Sequence, residues 1–295
     1  MPRFRDQSTF RRLQIVVGLG LAGLFYAQFE SGRHHNPVIQ RGTVVLGDAP
    51  IVAERFETLV RTDPLAALLE ARDLHGRSAT AYTCNFVKQE VLSSGMGPEQ
   101  EIEVLHRMEP YSVVLNWLRN PKMAQRVIYV KNRWIDKDAD KPEERELAVV
   151  RPIAPYDLLL KSLKQPIRGK NAKEYSRRCI DEFGFTRSFD LLIEYCKLAN
   201  SRGELKLEFM GESTFDGRPT WVIRRHLPYE KEGGRYPDRI AEIYLDKEYR
   251  VPVAVYCYAD DEMRPEDLLG KYEYRNIKFD AALTDSDFEP ATYGM

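Results

Sequence analysis

Five histidines, four cysteines and two acidic clusters are the side chains whose types suit chemistry. His34 and His35 lie in a polar stretch near the N-terminus. His75 closes a predicted helix, and His106 and His226 fall in separate predicted strands. Spacing alone brings none of them to a nucleophile or a second ligand, so their plain reading is solvated or capped histidine. Asp136, Asp138 and Asp140 alternate like the first ligands of a calcium loop, but the loop's glycine and its terminal glutamate are missing. Asp260, Asp261, Glu262, Glu266 and Asp267 read as a charged inter-strand loop. A glycosidase pair is defined by carboxylate separation across a site, which a sequence does not give. Neither G-x-S-x-G, H-E-x-x-H nor the P-loop pattern occurs. The sequence assigns no catalytic residue, metal or cofactor.

The cysteines are Cys84, Cys179, Cys196 and Cys257, and no two form a C-x-x-C. In an oxidising compartment Cys179 and Cys196, in neighbouring helical segments, can pair. Four free, mostly buried thiols are an equally open reading.

The elements that would position these groups follow from periodicity. Ile51, Phe56, Leu59 and Val60 share a helical face up to Asp63-Pro64, where Asp63 caps a second helix running to Gly76. From Ala79 the period becomes two: Tyr82, Cys84 and Phe86 alternate with Thr83, Asn85 and Val87. Ser93 to Pro98 turns the chain. Strands are expected over Glu101–Met108, Tyr111–Trp117, Val127–Val130 and Glu146–Val150. Helices are expected over Tyr156–Leu163, Asn171–Asp181 and Phe185–Ala199. Strands resume at Leu205–Met210 and return through an Asp216-Gly217 hairpin to Trp221–His226. Ile240–Leu245, Val251–Tyr258 and Gly270–Phe279 complete nine or ten strands. The expected class is α+β: a large curved antiparallel sheet, a half-barrel, with helices at the N-terminus and in the middle packed on its concave face. One apolar face would carry Tyr82, Phe86, Val113, Leu115, Trp117, Leu207, Phe209, Trp221, Ile223, Tyr244, Val255 and Tyr274. Helices covering that face fully give an ordinary core. Partial cover leaves a groove for an acyl chain or an apolar peptide.

The N-terminus sets the compartment. Arg3, Arg5, Arg11 and Arg12 precede Leu13 to Phe29, 17 residues without a formal charge. That run lies between a signal-peptide core and a membrane span in length, and the basic flank leaves the following chain on the far side of the membrane. Ala27 offers a small residue for cleavage but Phe25 obstructs it, so an uncleaved anchor is favoured over a signal peptide. Arg11-Arg12 also hints at a twin-arginine signal. A buried N-terminal helix of a cytosolic protein is the alternative. Residues 1–30 are therefore read as signal or anchor, 31–50 as tether, 51–290 as one β-rich domain and 291–295 as tail. With a net charge of −1, the chain has no basic footprint for nucleic acid.

Tyr82-Thr83-Cys84-Asn85-Phe86-Val87-Lys88-Gln89-Glu90 resembles the Y-x-C-x-F-x-K-x-E strand of an uncharacterised exported bacterial family, the domain of unknown function numbered fifteen seventy-one. Pro110 to Trp117 resembles its P-x-S-V-x-x-x-W segment. Ile128-Tyr129-Val130 and the closing Leu283 to Pro290 fit it too. That family is similar in shape to the LolA/LolB-like lipoprotein carriers. The resemblance implies a curved sheet with helical lids that hold acyl chains, and it carries over no catalytic residues. The expectation is a membrane-tethered or exported, non-enzymatic protein with a lipid or lipoprotein ligand, on the periplasmic side. The alternatives are an envelope interaction protein with a filled core, and an extracytoplasmic hydrolase built from scattered Asp, Glu and His.

Overall fold

The computed structural model describes residues 49–78, 80–231 and 233–295. The Leu13–Phe29 segment and the tether up to residue 48 lie outside the described residues. None of the described helices is long and apolar enough to cross a membrane.

Two helices, α1 (Ala49–Thr62) and α2 (Pro64–Ser78), open the described chain. Asp63 separates them: its carboxylate accepts the Ala66 N–H at 3.0 Å, so it caps α2 while Pro64 occupies the first helical position. Next come β1 (Ala81–Leu92), β2 (Gly95–Met96), β3 (Gln100–Arg107), β4 (Ser112–Arg119), β5 (Ala124–Val130), β6 (Leu147–Pro152) and β7 (Leu163–Pro166). The middle carries α3 (Lys170–Tyr175) and α4 (Phe185–Ser201). The last strands are β8 (Lys206–Phe215), β9 (Arg218–His226), β10 (Ile240–Asp246), β11 (Pro252–Tyr258) and β12 (Leu268–Phe279). Asp216 and Gly217 both have positive φ (50° and 75°), as the primed turn of the β8–β9 hairpin demands.

Among the described residues the strands form one 12-stranded sheet in the order β7-β6-β5-β4-β3-β1-β12-β11-β10-β9-β8, with β2 folded back on β1. It is open, with β7 and β8 as its two edges, and every pairing is antiparallel. Two meanders, β1–β7 and β8–β12, are therefore joined through the β1–β12 seam. The apolar Leu13–Phe29 run also contains the spacing Gly18-x-Gly20-x-x-Gly23. These glycines lie outside the described residues, and the antiparallel sheet of the described residues contains no βαβ unit, the setting a dinucleotide loop of that spacing needs.

Three expectations need correction. The sheet has two strands more than the upper expectation, the short β2 and β7. Tyr156–Leu163 is not a helix: Tyr156–Leu158 forms a single 3-10 turn and the chain then extends into β7. Consecutive Leu158, Leu159 and Leu160 cannot share one helical face, and Pro155 and Pro166 bracket the segment. Likewise α3 stops at Tyr175, because Ser176 is extended (φ −153°, ψ 142°). Lys88 Nζ holds the Ser176 hydroxyl there at 3.0 Å.

The core fills one face of the sheet. Phe56, Val60, Leu68 and Ala71 of α1 and α2 pack with Trp221, Ile223, Ile243, Leu245 and Val253. The buried stripe of α4, Phe185, Phe189, Leu192, Ile193, Cys196 and Ala199, covers the middle. Gly184 lets α4 approach so closely. It sits at φ 103°, and a Cβ there would lie 2.9 Å from Tyr82 Oη and 3.0 Å from His106 Nε2. A smaller cluster of Val114, Ile128, Val130 and Phe288 occupies the opposite face, and Leu283, Tyr293 and Met295 of the C-terminal segment pack onto it.

Candidate functional site

Helix cover on the inner face is incomplete. A cavity of about 440 Å³ remains between the sheet and the α3–α4 region. Phe86 and Lys88 of β1, Ile102 of β3, Trp117 of β4, Val127 of β5, Ala148 of β6, Leu163 of β7, Val255 of β11 and Tyr272 of β12 all line it. Adjacent strands lie ~4.8 Å apart, so a flat sheet would place β7 and β11 over 30 Å apart. One cavity of this size touches both because the sheet curves around it.

The cavity is amphipathic. Its apolar walls include Ile102, Leu115, Trp117, Val127, Val150, Leu163, Leu191 and Leu192. Trp117 keeps its indole N–H without a hydrogen-bond partner. The polar end begins where β1 continues its inward alternation past Phe86. Lys88 and Glu90 are buried there and joined by a 2.8 Å ion pair, and Tyr272 donates its hydroxyl to Glu90 at 3.0 Å. Burial pushes the Glu90 carboxyl up; Lys88 and the Tyr272 hydroxyl outweigh that and hold it below the usual carboxylate range. On β9, Arg225 is 2% exposed and bridges both oxygens of Asp238 at 3.0 Å. Arg177 and Arg178, between α3 and α4, also line the cavity, and Arg177 lies near enough to Glu90 to help lower its carboxyl.

Of the twelve apolar candidates, Phe86, Leu115, Trp117, Val255 and Tyr274 line the cavity. Tyr82, Val113, Trp221 and Ile223 are buried in the filled part of the same face. Trp221, for example, lies 5.4 Å from the Phe56 ring. Leu207 and Phe209 are half-buried against that core, with Arg61 over the Phe209 ring at 4.7 Å. Tyr244 falls on the outer face. Its neighbours Ile243 and Leu245 point into the core, so the alternation turns Tyr244 outward, against Tyr256 and Phe215. The charged members of the cavity went unassigned in the sequence. Parity held the signal for two of them: in Tyr82-x-Cys84-x-Phe86-x-Lys88-x-Glu90 every second residue faces inward.

The four cysteines are free. Cys179 and Cys196 are not bridged. Cys179 precedes the 3-10 turn Ile180–Glu182, whereas Cys196 lies three helical turns into α4, ~16 Å along its axis from Phe185. Burial pushes the thiols of Cys84 and Cys257 up.

His75 and His106 share one buried aromatic cluster and neither meets a carboxylate there, while His226 lies apart. His106 is stacked on Tyr82 at 4.7 Å, and burial, reinforced by His75, lowers its pKa to about 3. His75 packs against Phe185 and is lowered by burial to about 4. His226 meets Glu208 at 3.4 Å and Asp261 at 3.5 Å, away from the cavity. Among the described residues no group of three or more His, Cys, Asp or Glu is placed to hold a metal.

Fold and site together define an α+β protein whose open sheet curves around one amphipathic cavity. The model of the family described as protein of unknown function DUF1571 matches residues 79–293, and the chain belongs to that family. A search of curated proteins found no match. Among solved structures, a chain of the Pseudomonas aeruginosa MucA/MucB complex is 15% identical with a TM-score of 0.42, over 77% of this chain and 60% of that one. The chain thus spans about three fifths of that protein's length. An outer membrane lipoprotein-sorting protein domain from Vibrio parahaemolyticus is 10% identical, with a TM-score of 0.34 over 82% of this chain and 100% of the other. The Mycobacterium tuberculosis lipoprotein LppX is 12% identical, with a TM-score of 0.38 over 76% and 99%. None of these likenesses is close enough to transfer a function.

Proposed function

We propose that this protein is a non-enzymatic, extracytoplasmic carrier or receptor that holds an acyl chain of a lipid or lipoprotein in the cavity between its sheet and α4. The supporting observation is the cavity itself. Its volume lies within the range of small-molecule sites, and its walls are mostly aliphatic and aromatic. A sheet face that α1 and α2 fill at one end is left open at the other. The Arg-flanked apolar run Leu13–Phe29 would deliver the domain across a membrane, or hold it there. Exposed Leu158 and Leu159, each 84% accessible, follow cavity-lining Pro152 and precede cavity-lining Leu163. They give the cavity a greasy lip.

Native mass spectrometry after gentle purification, with displacement of a fluorescent fatty acid, tests this reading. A retained acyl species and probe binding are expected. A ligand-free protein that ignores the probe would favour an envelope interaction protein instead.

A further inference from the structure

Every carboxylate lining the cavity already has a donor, while several of its cations lack a carboxylate. Three acidic residues line the cavity, Glu90, Glu182 and Asp238. Glu90 takes Lys88 and the Tyr272 hydroxyl. Asp238 is bridged by Arg225 on both oxygens. Glu182 accepts Arg168 and the Cys179 N–H. Five basic residues line the same cavity: Lys88, Lys122, Arg177, Arg178 and Arg225. Lys88 and Arg225 are consumed by the pairs above. For Lys122, Arg177 and Arg178, no carboxylate among the described residues comes within ion-pair distance. Arg177 and Arg178 are exposed: Arg177 donates Nη1 to the Leu269 carbonyl at 3.3 Å and feels Glu90 and Asp238 only at longer range, and Arg178 uses its backbone N–H on Ser176 Oγ at 3.4 Å. The Arg177–Arg178 segment is itself fixed, because Lys88 also grips Ser176. Lys122 lies at the same end, beside Glu90 and Gln100 in a small adjoining hollow.

Guanidinium groups on the cavity wall with no carboxylate in direct contact offer their fork of N–H donors to an incoming anion. We infer that the ligand is an amphiphile with an anionic headgroup, carboxylate or phosphate, which Arg177 and Arg178 bind with Lys122 in support while its chain lies along Ile102, Leu115 and Trp117. This rests on the acyl-binding reading above and adds the charge of the headgroup to it.

The test uses the full chain and three amphiphiles with the same alkyl chain: palmitate, hexadecanol and hexadecyltrimethylammonium. Each displaces a neutral fluorescent acyl probe below its aggregation concentration. Palmitate is expected to bind about tenfold more tightly than hexadecanol, with the ammonium weakest. Arg177→Ala combined with Arg178→Ala is expected to bring palmitate down to the hexadecanol level and leave hexadecanol unchanged. Lys197→Ala with Lys278→Ala, exposed and outside the cavity, should alter nothing. Thermal midpoints confirm that each variant is folded. Equal affinities in the unaltered protein, or a preference that survives the double substitution, would overturn the inference. Inorganic phosphate that competes with palmitate but not with hexadecanol supports the anion site. Phosphate that binds with no effect on palmitate would overturn it. If none of the three amphiphiles binds, the acyl-binding reading falls and this inference with it.

Discussion

At the scale of single residues, buried polar groups decide much of the behaviour. Arg225 and Asp238 are 2% exposed and joined by two hydrogen bonds. Arg225→Ala would strand a buried carboxylate, and a loss of about 3–5 kcal/mol in urea unfolding is expected. Arg225→Met with Asp238→Leu should cost clearly less, since no charge is then left unpaired. His75 and His106 supply a pH dependence. Their folded pKa values, about 4 and about 3, lie below the unfolded value of about 6.5. Both are neutral in the fold, so the unfolded chain binds more protons at mildly acidic pH. Their contribution is fully present above pH ~6.5 and is lost progressively as pH falls towards the folded values. The urea midpoint should drop steadily from pH 7 to pH 5, and His75→Phe should flatten part of that slope. The sequence placed both histidines in correct elements, but it could not show that aromatic rings rather than water surround them.

Among elements, the strands were the most legible. Alternation over Tyr82–Phe86, Trp221–Ile223 and Tyr272–Tyr274, together with the Asp216-Gly217 turn, is a local property that survives packing. The failures have tertiary causes. The run Leu158-Leu159-Leu160 looked helical because leucine favours helix, yet its prolines and the pairing of β7 on β6 prevailed. Tyr244 turns away from the expected apolar face because its neighbour Ile243, equally apolar, takes the core position. Of the cavity, the aromatic wall could be read from strand parity. The charged end could not, because Asp238 and Arg177 come from irregular segments that only the fold brings to the sheet. The leucine turn carries its own prediction. Leu158→Ser with Leu159→Ser removes side chains that are 84% exposed, so stability should change by less than about 0.5 kcal/mol. Transfer of an acyl probe between the protein and lipid vesicles should slow several-fold in stopped-flow fluorescence. Unchanged transfer would separate the turn from ligand entry.

For the whole molecule, the sheet depends on one junction. β1 pairs with β3 on one side and with β12 on the other, and among the described residues no other strand pair joins the two meanders. Deleting residues 268–295 removes β12 and the outer-face cover of Val114 and Ile128. The remaining chain is expected to lose its single cooperative unfolding transition and to expose apolar surface, read by dye binding and hydrogen exchange. Removing only 291–295 should leave the transition intact with a lower midpoint, since Tyr293 and Met295 pack on a small cluster.

That junction also imposes an order in time. Tyr82 meets Phe279, about 200 residues later in the chain. While the polypeptide emerges from its N-terminus, β1 can find β3 almost at once, but its other edge must wait for nearly the whole of synthesis. A long, half-apolar strand with an open edge invites pairing with another chain. The nascent protein therefore passes through a sticky stage that the finished one conceals, and that stage ends only when the last strand arrives.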